Sequence, residues 1–313
     1  MSDLFAVDKE ATVLADRPLP DRLRPRNLDE IVGQDHLVGE GAPIRKMIDG
    51  RRLASMILWG PPGSGKTTLA RILSSHTDLH YEQLSAIFSG VQDLRKVFEA
   101  ARIRKRNGQG TLLFVDEIHR FNKSQQDAFL PVVEDGTIVL IGATTENPSF
   151  ELNAALLSRA QVFVLKRIDD EGLETLLGRA EEDAGRKLPV DDHARATLKA
   201  MADGDGRYVL SMAEQILSQR EVLDTEALLK IVQRRAPLYD KGDDALYNLI
   251  SALHKSVRGS DADAALYWFA RMLAGGEHPE YIARRMARMA VEDIGLAEPQ
   301  ALPTCIAAWQ AYE

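Results

Sequence analysis

Two short stretches combine residue types and spacings that point to chemistry. The first is Gly60-Pro61-Pro62-Gly63-Ser64-Gly65-Lys66-Thr67, followed by Thr68. An apolar MILW precedes it and KTTLARILSS follows, so a strand leads in and a helix leads out, the setting a phosphate-binding loop requires. Its glycines let the backbone curl until N–H groups face phosphate oxygens, and the helix adds the positive end of its dipole. Lys66 would reach the β- and γ-phosphates, and Thr67 would offer its hydroxyl to Mg2+.

The second stretch is Leu112-Leu113-Phe114-Val115-Asp116-Glu117, an apolar strand that ends in two acids. Asp116 suits a hydrated Mg2+, and Glu117 suits a water that it orients and deprotonates for attack on the γ-phosphate. Loop and acids together predict nucleoside triphosphate hydrolysis. The next apolar run, Thr137 to Ala143, ends in Thr144 and Thr145, and Asn153-Ala-Ala-Leu-Leu-Ser-Arg159 follows. From its position Arg159 reads either as a surface arginine or as a positive charge presented to a neighbouring subunit's γ-phosphate.

These groups need a scaffold, and the chain's patterning supplies one. From Ser55 to about Lys166, apolar runs (SMILWG, TLLFVDE, TIVLIGATT, AQVFVLK) alternate with helical stretches (KTTLARILSS, SGVQDLRKVFEAARIRK, SQQDAFLPVVED). That alternation predicts an α/β domain, a parallel sheet with helices on both faces, over residues 19–166. After Lys166 the strand signals stop. EGLETLLGRAEEDAG, HARATLKAMADG, RYVLSMAEQILSQ and TEALLKIVQRR carry apolar residues at helical spacing, which predicts an all-α lid over 167–236. Beyond a break at Pro237, three further helical stretches predict an all-α C-terminal region over 237–313. Gly259, Gly275-Gly276 and Gly295 serve as stops, and Ser260 with Asp263 reads as a capping box. Residues 1–18 read as a loose tail. PTCIAAWQAYE reads as a helix without a stop signal, so the sequence is expected to continue.

With 313 residues, 45% hydrophobic and 27% charged, the chain is long enough for two or three domains with their own cores. A single cysteine, Cys305, excludes an intrachain disulfide and suits a reducing cytoplasm. No run approaches the roughly 18 apolar residues of a membrane span, and no signal peptide is evident. The net charge of −8 argues against a basic coat for nucleic acid. It leaves room for local patches: Arg17, Arg22, Arg24 and Arg26; Arg102, Arg104, Lys105 and Arg106; and Arg284, Arg285 and Arg288. Each reads first as a solvated face. His76 and His80 have the spacing of a zinc pair, but no third ligand accompanies them, so no metal role is assigned. The cluster Tyr267-Trp268-Phe269 reads as core or interface before it reads as a stacking platform.

RLRPRNLDEIVGQDHLVG, ILWGPPGSGKTTLA, FVDEIHRFNKSQQDAFLPVVEDGTIVLIGATTENPSFELNAALLSR and LYNLISALHKSVRGSDADAALYWFARML together resemble AAA+ ATPases of the clamp-loader branch. Within that branch they are similar to the replication-associated recombination protein A (RarA/MgsA) family, related to the Werner-helicase-interacting protein. The resemblance runs from about residue 20 to the end. It implies that Ile31, Val32 and Gly33 line the adenine pocket, Thr144 is the first sensor, Arg159 the arginine finger and Arg207 the second sensor, reaching the phosphates from the lid. Where the family reads close to GDARRAL this chain has GDGRYVL, with Gly206 and Tyr208 flanking Arg207.

The same resemblance implies ATP and Mg2+, and action on DNA at stalled or gapped replication forks. It further implies single-strand-binding and fork proteins as partners, a homo-oligomer, a tetramer, as the working form, and a cytoplasmic, nucleoid-associated location. The leading expectation is a DNA-dependent ATPase that remodels fork DNA or its bound proteins; the alternative is an ATP-switched adaptor that recruits partners. A small-molecule kinase would need neither the helical lid nor a finger arginine. VDEIHRF also spells the Asp-Glu-x-His of many helicases, but those require a second sheet domain, and the sequence predicts none.

Overall fold

The computed structural model describes residues 17–232, 243–274 and 277–312. The expected tail up to residue 16, the break at Pro237 and the Gly275-Gly276 stop lie outside the described residues. Five parallel strands, β1 (Met56–Trp59), β2 (His80–Ser85), β3 (Thr111–Asp116), β4 (Ile138–Thr144) and β5 (Gln161–Val164), lie in the order β2-β3-β4-β1-β5. Successive side chains along a strand face opposite sides. In β3, Leu112 and Phe114 therefore pack with Leu69 and Leu73 of the helix Lys66–Ser75. Leu113 and Val115 pack on the other side with Leu94 and Phe98 of the helix Val91–Arg106. Both faces are covered, so the central strands are continuous apolar runs and all four of these β3 side chains are fully buried. Each is worth about 1.5–3 kcal/mol of apolar burial.

The register Trp59↔Thr144 and Val115↔Gly142 brings Gly60, Asp116 and Thr144 to the same carboxyl edge of the sheet. That edge is where open α/β sheets bind ligands. Two elements differ from the sequence reading. β2 has the pattern HYEQLS, largely polar and nowhere fully buried, because it is an edge strand; its apolar signal is correspondingly weak. The single helix expected over SQQDAFLPVVED is two, Lys123–Asp127 and Leu130–Glu134, since Pro131 has no N–H with which to continue the first.

The chain divides into two compact units, Met1–Arg234 and Arg235–Glu313. In the first, the sheet is followed by helices Asp170–Ala184, Asp192–Ala202, Gly206–Leu217 and Thr225–Ile231. Each is capped by an aspartate, Asp169, Asp191, Asp205 and Asp224 respectively, whose side chain accepts a first-turn backbone N–H. Leu177, Leu198, Val209 and Ile216 form their core, and Leu19, from the short helix Leu19–Arg22, joins it.

The second unit comprises helices Asp243–Arg258, Ala262–Ala274, Pro279–Met289 and Ala301–Tyr312, with Ile250, Leu253, Met272 and Ile282 at its core. Trp268 and Phe269 pack on that core while Tyr267 is exposed. The capping box assigned to Ser260 and Asp263 is not formed. Ser260 sits at φ 57°, outside the extended backbone an N-cap needs, and Asp261 accepts from the Ala264 N–H (2.9 Å) in its place. Among the described residues no helix is long and apolar enough to cross a membrane.

Several of the basic residues are engaged by acids or carbonyls. Arg22 pairs with Asp183, Arg24 with Asp21, Arg104 with Glu82 (3.0 Å) and Arg288 with Glu292 (2.7 Å), and Lys105 donates to the Asp135 carbonyl.

Candidate nucleotide site

The phosphate-binding loop joins β1 to the helix Lys66–Ser75. Gly65 begins that helix at φ 100°, a conformation open to glycine and costly to other residues. Lys66 is buried, and its ammonium donates to the carbonyls of Gly60 (2.6 Å) and Pro61 (2.9 Å). Pro62, Gly63, Ser64 and Gly65 line a cavity at this point, together with Lys66, Thr67 and Thr68. The loop thus offers a desolvated cation and close backbone at the same place.

Asp116 and Glu117 line the same cavity from the end of β3. Glu117 is held at φ 53°, ψ 47°, a left-handed backbone that a non-glycine residue adopts only at a cost of about 1–3 kcal/mol. Such strain concentrates where a side chain must be aimed. Burial raises the Glu117 carboxyl above its ordinary range and the adjacent Asp116 charge raises it further, with Lys66 and Arg120 opposing. A carboxylate shifted toward neutrality is a better proton acceptor than an ordinary one.

Ile31 and Val32 also line the cavity, as does Arg207 at the start of the lid helix Gly206–Leu217. Leu23, Ile168, Leu176 and Leu210 complete an apolar wall. The lining therefore combines apolar side chains, suited to a base, with Lys66, Thr67, Asp116 and Arg207, suited to phosphates and a cation. Gly33, at φ 75°, is set against the backbone of Ile168; a Cβ there would lie 3.5 Å from its Cα.

Lid and loop touch directly. A Cβ on Gly63 would fall 1.8 Å from Asp205 Oδ1, so only a glycine lets the lid approach this closely. Gly206, where the family pattern has alanine, is crowded likewise: a Cβ would meet Ile168 Cδ1 at 2.8 Å and Leu176 Cδ1 at 2.9 Å. Tyr208 packs on the lid core. The atoms that crowd Gly206 are the ends of flexible side chains and can move aside, so packing does not by itself require glycine at that position.

Thr144 is fully buried at the end of β4. Its Oγ1 accepts from the Glu146 N–H (3.0 Å), lies 3.1 Å from the Glu146 carbonyl and is 2.9 Å from His119 Nδ1. Thr145, which the sequence reading passed over, lines the cavity. Arg159 is not in this cavity. It lies on the exterior, with Nε on Glu134 (2.6 Å) and Nη1 on the Ala155 carbonyl (2.6 Å) and Ser158 Oγ (2.9 Å).

Two further glutamines were not singled out from sequence. Gln34, completely buried, donates from Nε2 to the Lys166 carbonyl (2.8 Å) and accepts at Oε1 from the Lys166 N–H (3.0 Å). A side-chain amide here replaces a strand neighbour and fastens the segment carrying Ile31 and Val32 to the chain just beyond β5. Gln34→Leu removes both hydrogen bonds to the Lys166 backbone, worth about 0.5–1.5 kcal/mol each. The expected result is a lower melting temperature together with weaker nucleotide binding, measured by thermal unfolding with and without nucleotide. Gln126, also buried, donates to the carbonyls of Phe121 (2.8 Å) and Glu151 (3.0 Å) and accepts from the Asn153 N–H (2.8 Å). The segments HRFNKSQQD and TTENPSFELN, remote in sequence, are joined through it.

A five-stranded parallel sheet with this loop, these paired acids and a helical lid defines an AAA+ ATPase, an ATP hydrolase. Residues 56–168 match the ATPase family associated with various cellular activities (AAA), 184–258 the AAA C-terminal domain, and 259–313 the MgsA AAA+ ATPase C terminal. The chain belongs to the replication-associated recombination protein A family. It is 49% identical over 308 residues to replication-associated recombination protein A of Escherichia coli (strain K12), covering 95% of this chain and 69% of that relative. It is also 48% identical to ATPase WRNIP1 of Dictyostelium discoideum, covering 94% of this chain and 36% of that one. In fold it is similar to the Thermotoga maritima RuvB Holliday junction branch migration motor, with a TM-score of 0.55 at 21% identity, over 92% of this chain and 85% of the other.

Proposed function

We propose that this AAA+ ATPase of replication-associated recombination is DNA-dependent and acts at stalled or gapped replication forks, remodelling fork DNA or the proteins bound to it. The observation that carries the ATPase half is the single cavity in which Lys66, Thr67, Asp116, Glu117 and the lid residue Arg207 converge. The DNA half rests on family membership. Lys66 and the loop N–H groups hold the β- and γ-phosphates, with Ile31 and Val32 against the base. Mg2+, held by Thr67 and Asp116, would neutralise charge on the phosphate oxygens. Glu117 takes a proton from the attacking water as its oxygen bonds to the γ-phosphorus; the bond from that phosphorus to the bridging oxygen breaks, and ADP departs.

Arg159 contributes the finger to a neighbouring copy, which makes a homo-oligomer the working form; that it is a tetramer rests on the family resemblance alone. Its exposed position supports this reading, because a residue outside its own cavity is available to another subunit's. Single-strand-binding and fork proteins are the expected partners. Phosphate release is to be measured with no DNA, with single strands, with blunt duplex, and with gapped or single-strand/double-strand junction DNA. Stimulation by junctions or gaps above the other substrates is expected; equal rates on all of them would refute the DNA half.

A further inference from the structure

His119 is the member of the Asp-Glu-x-His signature to which the phosphate chemistry gives no task. It is an imidazole with a side chain only 3% exposed, and it lies between two carboxylates. Nδ1 is 2.9 Å from Thr144 Oγ1 and 3.4 Å from Glu117 Oε2; Nε2 is 3.2 Å from Glu146 Oε1. With the Thr144 hydroxyl given to the Glu146 carbonyl, its oxygen accepts, and Nδ1 carries the proton that faces both Thr144 and Glu117. The Glu146 carboxylate, 3.2 Å from Nε2, pairs with the ring only when that nitrogen also carries a proton.

We propose that His119 is a positioning residue for ATP hydrolysis. Through Nδ1 it ties one oxygen of Glu117 to the end of β4 and leaves the other free to meet the attacking water. Three features support this. Glu117 stands in left-handed backbone and has no helix to hold its side chain, so its aim depends on side-chain contacts. The anchor, Thr144, is at the terminus of the central strand and is itself buried, so the ring is braced against a strand paired on both sides. The ring is also two residues before Phe121, whose carbonyl accepts from Gln126, so the turn that carries it is itself fastened. At 3.4 Å the His119–Glu117 contact is an ion-pair distance, longer than the 2.9 Å from Nδ1 to Thr144 Oγ1.

This inference rests on Glu117 as the base, and the test separates the two. ATPase kinetics are compared for the full chain, with its optimal DNA present, in His119→Leu, His119→Asn and Glu117→Gln. Asparagine keeps a donor near the Nδ1 position, whereas leucine keeps the volume alone. His119→Leu is expected to lower kcat at least about tenfold with KM for ATP within about twofold, the signature of an interaction made in the transition state. His119→Asn is expected to recover most of that loss. Wild-type kcat in His119→Leu, or equal defects in the leucine and asparagine variants, would overturn the role of His119. Undiminished turnover in Glu117→Gln would overturn the base assignment itself.

Discussion

Lys66→Ala is expected to abolish measurable ATP hydrolysis and to weaken nucleotide binding at least about 100-fold, which corresponds to about 2.7 kcal/mol. The magnitude follows from where the ammonium sits. It is buried at the mouth of the loop, and a phosphate beside it would be contacted by a charge already stripped of water, where charge-assisted hydrogen bonds are strongest. The same substitution leaves the carbonyls of Gly60 and Pro61 without this donor, a local cost of about 1–3 kcal/mol. The sheet core of Met56, Leu58, Leu112 and Phe114 does not depend on Lys66, so the variant is expected to fold. Fluorescent-nucleotide titration and phosphate release, beside a thermal melt, distinguish loss of binding from loss of fold. Retained hydrolysis in a folded Lys66→Ala protein would remove the loop from the mechanism.

The second large effect is the opposite in kind. Arg159→Ala is expected to bind ATP normally, because its side chain is outside the chain's own cavity, yet to lose turnover by about 10³-fold or more, the scale of a missing arginine finger. Mixing is the decisive form of the experiment. In a mixed assembly of Arg159→Ala and Glu117→Gln copies, an interface that pairs the intact Glu117 of the first with the intact Arg159 of the second is complete. Activity in the mixture, where each variant alone has little, is the expected result. No gain on mixing, or normal turnover in Arg159→Ala alone, would eliminate a site shared between subunits.

The most legible parts of the site were those whose chemistry is local. Gly60 to Thr67 and the acids closing β3 announce themselves because loop, cation and strand end are contiguous in the chain, and the structure brings both into one cavity. The sheet was legible for a related reason: β3 and β4 are buried on both faces and therefore read as unbroken apolar runs. β2 was not, because one side of an edge strand pairs with no neighbour and its polar residues mask the pattern. Gln34 and Gln126 were equally hidden. A glutamine is ordinarily a surface residue, and neither one reveals in sequence that its amide will be spent on main chain 132 or 25 residues away. Thr144 and Thr145 show the limit of adjacency: neighbouring identical letters, one turned into hydrogen bonds beneath the site and the other toward the cavity.

Gln126 has a mechanical meaning beyond its hydrogen bonds. An amide has no charge to lose and no proton to exchange with the reaction, so its clasp on Phe121, Glu151 and Asn153 is insensitive to pH and to proton transfer at the site. The two loops it joins are thereby fastened to each other, with the turn after Glu117 on one side and the short helix Ala154–Leu157, leading to Arg159, on the other. On the proposed shared site, a displacement of Arg159 by an adjacent copy would reach the turn after Glu117 through this clasp without any segment having to unfold.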